Sequence, residues 1–153
     1  MILAYKETKD FLKRQMNGIT GHIEVAGYPF DSVEWGEEDK IGKDEIYTWG
    51  DTWWAYEQTA YWVDGLTRCA ILLRDKSALQ KAEEIIYRVL ENADEDGYIG
   101  PKFLKEIKNS YSRWPHVVFF RALMALYEYN HDKKIYQNVE LRHLLASSKV
   151  SFL

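Results

Sequence analysis

The strongest periodic signal in the chain lies over residues 53–74. Trp62, Leu66, Cys69 or Ala70, and Leu73 fall at steps of three and four and predict one apolar face of a helix of about five turns. Arg74-Asp75-Lys76 makes a tight connection. Ser77, with Gln80 three residues on, is a capping-box signature for the next helix, whose expected core positions are Leu79, Ala82, Ile86 and Val89 or Leu90. These two helices predict an antiparallel hairpin over 52–91. Pro115 suits the first turn of a further helix, because its missing N–H would have no partner there. Val117, Phe120, Leu123 or Met124, and Tyr127 continue that helix's apolar face. Asn130-His131-Asp132 closes it, and a last helix follows with Ile135, Val139 and Leu144 or Leu145. The second hairpin, 114–146, repeats the first at an offset of 56 residues, pairing Leu66 with Ala122 and Leu79 with Ile135.

Ahead of these hairpins, residues 6–16 predict a short helix stopped by Asn17-Gly18, where glycine can take the left-handed conformation. Two segments, 19–51 and 92–113, show neither a helical nor a strand period and read as long loops. Helical hairpins repeated across long loops predict an all-α fold. The expected architecture is antiparallel helical hairpins forming an open arc of an (α/α)6 toroid, about five helices, rather than a four-helix bundle with its short connections. A closed ring of six such hairpins needs on the order of 300 or more residues. Two hairpins in 153 residues would leave an arc with an uncovered apolar edge. The chain reads as one domain, with a short helix and loop over 1–51, hairpins over 52–91 and 114–146 flanking a loop over 92–113, and a tail over 147–153.

Composition narrows the function classes. Hydrophobic residues make up 46% and charged residues 29%, which is the balance of a chain that folds. Net charge is −4 with no long block of either sign, so neither nucleic acid nor an anionic membrane is an expected partner. Residues 1–6 carry no basic segment followed by an apolar run, and no stretch approaches the roughly 20 apolar residues of a membrane span. A cytoplasmic location is the default expectation. Cys69 is the single cysteine, excluding an internal disulfide, and its place beside Leu66 and Leu73 reads as a buried, inert thiol. Aromatic content is high, at 15%, and concentrated: Tyr47, Trp49, Trp53, Trp54, Tyr56, Tyr61 and Trp62 share one window.

That concentration bears on chemistry. Glu57, Tyr61, Asp64 and Arg68 recur at steps of four, three and four, predicting a polar face largely opposite the Trp62-Leu66-Leu73 stripe. A sugar presents hydroxyls at its ring edge and C–H groups on its ring face, so its site wants carboxylates and amides beside flat aromatic rings. This helix supplies both. Glu57 and Asp64 stand two turns apart, about 10 Å along the axis, the wide spacing of inverting glycosidases only if their side chains lean together. The bland alternative is a solvated helix face. Gly65, in the helix interior, points to close approach by a neighbouring helix or by a ligand. His116, beside Arg113 and Trp114, opens a helix end and reads equally as a helix-end partner or a ligand contact. His22, His131 and His143 share no metal-ligand spacing, and Asp94-Glu95-Asp96-Gly97 reads as a turn rather than a calcium loop. Nucleophile-elbow, phosphate-loop and dinucleotide motifs are absent from the sequence.

Three of these segments together carry a family resemblance. Trp53-Trp54-Ala55-Tyr56-Glu57-Gln58-Thr59-Ala60-Tyr61-Trp62-Val63-Asp64-Gly65-Leu66, then Asp96-Gly97-Tyr98-Ile99-Gly100-Pro101, then Arg113-Trp114-Pro115-His116, resemble the amino-terminal part of the β-L-arabinofuranosidase-like glycoside hydrolases. This family was long described as a domain of unknown function. The likeness runs from about residue 11 to about residue 139. It implies an (α/α)6 toroid, removal of L-arabinofuranose from plant-type glycans, and carbohydrate as the partner. It also implies sugar contacts or supports at Trp54, Tyr56, Glu57, Gln58, Tyr61, Asp64, Trp114 and His116. In the family, catalysis is attributed to a cysteine nucleophile on a zinc held by cysteines and a glutamate, with a second glutamate as acid/base, all in the later half of the barrel. Cys69 matches no part of that motif, so no catalytic residue, metal ligand or cofactor is expected in this chain. The tail after residue 141 loses the likeness and reads as a truncation, and the start lacks the secretion signal that many relatives carry.

Two other readings stand beside the glycosidase fragment. One is a non-catalytic helical module in which Trp53, Trp54 and Trp62 are core or interface residues and a homo-oligomer covers the open edge. The other is a lyase-like toroid, disfavoured by the acidic surroundings of Tyr61, because a lyase base works beside groups that neutralise a uronate.

Overall fold

The computed structural model describes residues 2–23, 53–94, 98–99 and 114–138, without the side chains of 2–5, 53–56 and 114–115. Every regular element among the described residues is helical: α1 (Ile2–Met16), α2 (Trp53–Leu73), α3 (Lys76–Glu91), α4 (Trp114–Asn130) and a short α5 over 133–138. Most of the predicted loops over 19–51 and 92–113, namely 24–51, 95–97 and 100–113, together with Val139, Leu144, Leu145 and the tail, lie outside the described residues.

Both helical hairpins turn in the same way. Arg74 takes a left-handed φ of 58°, and Asp75 then caps α3, its Oδ1 accepting the backbone N–H groups of Ser77 and Ala78 at 3.1 Å each. His131 takes a φ of 54°, and Oδ1 of Asp132 accepts the Lys134 N–H at 2.8 Å. An Asp N-cap satisfies donors that the first helical turn leaves without partners. The cap of α3 is therefore Asp75, two residues ahead of the predicted Ser77, and Gln80 donates instead to Glu84 at 2.9 Å. The two turns recur at an offset of 57 residues (131 less 74), one more than the apolar pattern suggests. The second is locked to α3, because the Tyr87 hydroxyl donates to Asp132. Burial and the adjacent Asp132 carboxylate push that hydroxyl up to about 12, and its hydrogen bond holds the Asp132 carboxyl below the usual range.

α2 packs most broadly on α4, and less broadly on α3. Their shared core comprises Ala60 and Val63 from α2, Ile86, Val89 and Leu90 from α3, and Val118, Phe119, Ala122, Leu123 and Leu126 from α4, closed by Ile99 and Ile135. In α3 the buried positions are Ala82, Ile86, Val89 and Leu90, as the periodicity predicts. In α4 the buried face is shifted: Leu123, one of the two alternatives at its position, is fully buried as is Phe119, Phe120 and Tyr127 pack at the margin, and the predicted core residue Val117 is 57% exposed. In α2 likewise, Val63 and Thr67 join Leu66 and Ala70 inside, and Trp62, Cys69 and Leu73 are half-buried at the flank. Buried Thr67 satisfies its hydroxyl on the Val63 carbonyl one turn back, at 2.7 Å.

α1 runs from Ile2, earlier than predicted, and stops at the predicted place. Gly18 is not left-handed there; the chain turns on through Gly21 N–H to Gly18 O and His22 N–H to Ile19 O, at 3.2 and 3.3 Å.

Candidate functional site

The turn over 17–23 is fastened to the hairpin by side chains of α2 and α3. The Trp62 indole N–H is shared between the carbonyls of Ile19 and Thr20, at 2.9 Å to each. The Lys81 ammonium lies 5.4 Å from the centre of the Trp62 ring and donates to the Gly21 carbonyl at 3.3 Å. Gly21 is indispensable to this docking, because a Cβ there would sit 2.0 Å from the Met16 carbonyl oxygen. Gly21→Ala is expected to displace the turn and cost about 1–3 kcal/mol, read as a lower denaturation midpoint together with a shift in Trp62 fluorescence.

Docking the turn creates a groove of about 330 Å³ between it and the outward face of α2, lined by Ile19, Thr20, Ile23, Gln58, Tyr61, Trp62 and Gly65. Gln58 and Tyr61 are exposed; Thr20, Trp62 and Gly65 are half-buried. The walls are mainly hydrocarbon and aromatic. The lining residues with polar side-chain groups of their own to offer are Gln58, Tyr61 and Thr20. Since the indole N–H is spent on backbone carbonyls, Trp62 can offer a ligand its ring but not its donor. Gly65 lies in the helix interior, where glycine costs about 1 kcal/mol relative to alanine. No helix approaches it: a Cβ built there meets nothing within 4 Å among the described residues, contrary to the packing expectation.

The residues singled out in the sequence thus separate. Gln58 and Tyr61 share the groove. Glu57 is half-buried on the adjacent edge of α2 with an interaction of its own, and does not line the groove. Asp64, expected on the polar face, is 4% exposed. Its Oδ1 accepts from Arg68 Nε at 2.7 Å, one turn on, and its Oδ2 faces Arg121 Nε of α4 at 3.0 Å. The carboxylate can be buried because two guanidiniums compensate it while remaining half in water, with side chains 47% and 58% exposed. Arg68 also reaches the Arg121 carbonyl at 3.3 Å, so Asp64 ties α2 to α4. With both oxygens engaged in this way, a Glu57–Asp64 catalytic pair finds no support in the geometry. His116 stacks against Tyr98, with ring centroids 4.3 Å apart at 41°, bringing the second and third family-like segments together away from the groove. Trp54, Tyr56 and Trp114 lie on helical backbone, and their side chains are outside the described residues.

Ile19, Thr20 and Ile23 were not foreseen as groove residues. They fall in a segment without periodicity, and only the costly Gly65 hinted that a surface here was being kept open.

Among the described residues, no set of side chains fits the zinc that the family resemblance implies. Cys69 is half-buried, burial pushes its thiol up, away from the thiolate a metal needs, and no group of three or more His, Cys, Asp or Glu among the described residues could hold a metal ion. Among the described residues no helix is long and apolar enough to cross a membrane. Compared with known proteins, the chain matches no family model, no characterised protein and no solved structure.

Proposed function

We propose that this chain is a carbohydrate-binding wall of an α/α toroid, and that the groove on α2 holds one neutral sugar unit of an arabinose-type glycan. The observation that carries this reading is that Gln58, Tyr61 and Trp62 line one concavity of about 330 Å³. Ligand sites start at about 300 Å³ and combine apolar walls with a few placed polar groups. A sugar needs that mixture, with C–H groups against the aromatic wall and hydroxyls toward the amide and phenol. Among the described residues no charged side chain lines the groove, which favours a neutral ring over a uronate. The reading assigns binding, not cleavage, to these residues, since Asp64 is committed to Arg68 and Arg121.

Two features support the toroid. The matched left-handed turn and Asp cap recur from one hairpin to the next. α3 has one apolar face and one wet face, as an outer helix should, whereas α2 and α4 are apolar around most of their circumference, as inner helices should be. Exposed Leu72, Val117 and Met124, on α2 and α4, favour a second and compatible reading, in which two copies associate through apolar surface of these helices.

Titration of intrinsic tryptophan fluorescence with arabinose-containing oligosaccharides tests the proposal. A saturable response is expected, weakened about tenfold or more by Gln58→Ala, equivalent to about 1.4 kcal/mol. No response by a folded protein would overturn the sugar reading, and a dimer in sedimentation together with no response would leave the interface as the function of this face.

A further inference from the structure

Gly65 calls for a reason. Glycine inside a helix weakens it, and it is ordinarily kept there for a left-handed φ or for close approach of another backbone. Neither applies: Gly65 has no positive φ, and nothing among the described residues lies within 4 Å of where its Cβ would be. What surrounds it is the groove, which it lines with Tyr61 and Trp62. These two residues stand four and three positions earlier, on the preceding turn of α2. Helical side chains lean toward the N-terminus and cover the turn before their own Cα. A side chain at position 65 would therefore project into the groove toward the turn that carries Tyr61 and Trp62, although its Cβ alone would meet neither ring within 4 Å.

Resting on the sugar reading above, we propose that Gly65 is a specificity-determining residue: it keeps the surface between Tyr61 and Trp62 bare, setting the groove's depth and thus the size of sugar ring admitted. Helix stability is given up for access, the familiar opposition between stability and function at a binding surface. The preference follows from geometry. A methyl group on the floor costs a six-membered ring more contact than a five-membered one, and an isobutyl group removes room for either.

The experiment compares wild type, Gly65→Ala and Gly65→Leu in thermal melts and in calorimetric titrations with oligosaccharides ending in a pentofuranose or a hexopyranose. Both variants should melt higher, by about 2–4 °C for a chain of this size if the helix gains its full propensity difference. Gly65→Ala should weaken binding about tenfold or more, with the greater loss for the larger ring, and Gly65→Leu should abolish it. If wild type binds and Gly65→Leu binds equally well, the role of Gly65 is refuted while the groove's sugar reading survives. If Gly65→Ala melts lower, the glycine serves packing by another part of the chain, and the proposal also fails. If folded wild type binds neither sugar, the sugar reading falls and takes this inference with it.

Discussion

Phe119→Ala is expected to cost about 3–5 kcal/mol, as for other fully buried aromatic residues, and Phe120→Ala only about 1–2 kcal/mol, in proportion to its partial burial. Phe119 is completely enclosed at the α2–α4 contact, among Val63, Ala122 and Leu123, and truncating it would leave a cavity that a helix pinned by Asp64 and Arg121 cannot readily close. Phe120 packs on the margin of the same core. Since domains are stable by only about 5–15 kcal/mol, the first change should bring the denaturation midpoint down severely and the second modestly. Urea unfolding of the two variants side by side measures the difference. Equal losses would mean that α4 presents the face centred on Phe120 that its periodicity suggests.

Trp62→Ala carries the second largest expected effect, about 2–4 kcal/mol, from a half-buried indole and two hydrogen bonds. Its consequence reaches further than stability. Without the indole the carbonyls of Ile19 and Thr20 lose their donor, Lys81 loses the ring it lies over, and the turn over 17–23 loses its fastening to α2. One wall of the groove would then be free to leave. Trp62→Phe separates the two contributions: it keeps a ring under Lys81 but removes the N–H, and should cost about 1 kcal/mol because water can reach the freed carbonyls. Hydrogen exchange at Gly21 and His22 should rise strongly in the alanine variant and weakly in the phenylalanine variant. Unchanged exchange in both would show that Lys81 alone holds the turn.

Helix existence was legible in the sequence, and helix orientation only where polar residues constrain it. α3 alternates apolar and charged positions so strictly that one face alone can be buried, and Ala82, Ile86, Val89 and Leu90 were foreseen. α4 is apolar at 117–120 and again at 122–127, so several three-and-four spacings fit equally well, and the buried one is decided by α2. Asp64 failed for a related reason. Its charge placed it outside, and its burial depends on Arg121, a partner distant in sequence that periodicity does not reveal. The cap at Asp75 was hidden by the Ser77 and Gln80 spacing, although an Asp following a left-handed residue is the signal both hairpins use.

The groove was half legible. Gln58 and Tyr61 stood out as polar and aromatic residues on one helix face, and Gly65 as an anomaly. Their opposing wall comes from Ile19, Thr20 and Ile23, residues that carry no pattern and acquire meaning only once Trp62 and Lys81 hold the turn in place.

Chemical-shift mapping tests the central claim most directly, with the protein titrated by an arabinose-containing oligosaccharide. The side-chain amide of Gln58 and the backbone amides of Thr20, Tyr61 and Gly65 should move together and saturate at one concentration, while resonances of Arg68 and Arg121 stay in place. No movement at the groove, or movement confined to the Arg68–Arg121 face, would contradict the account.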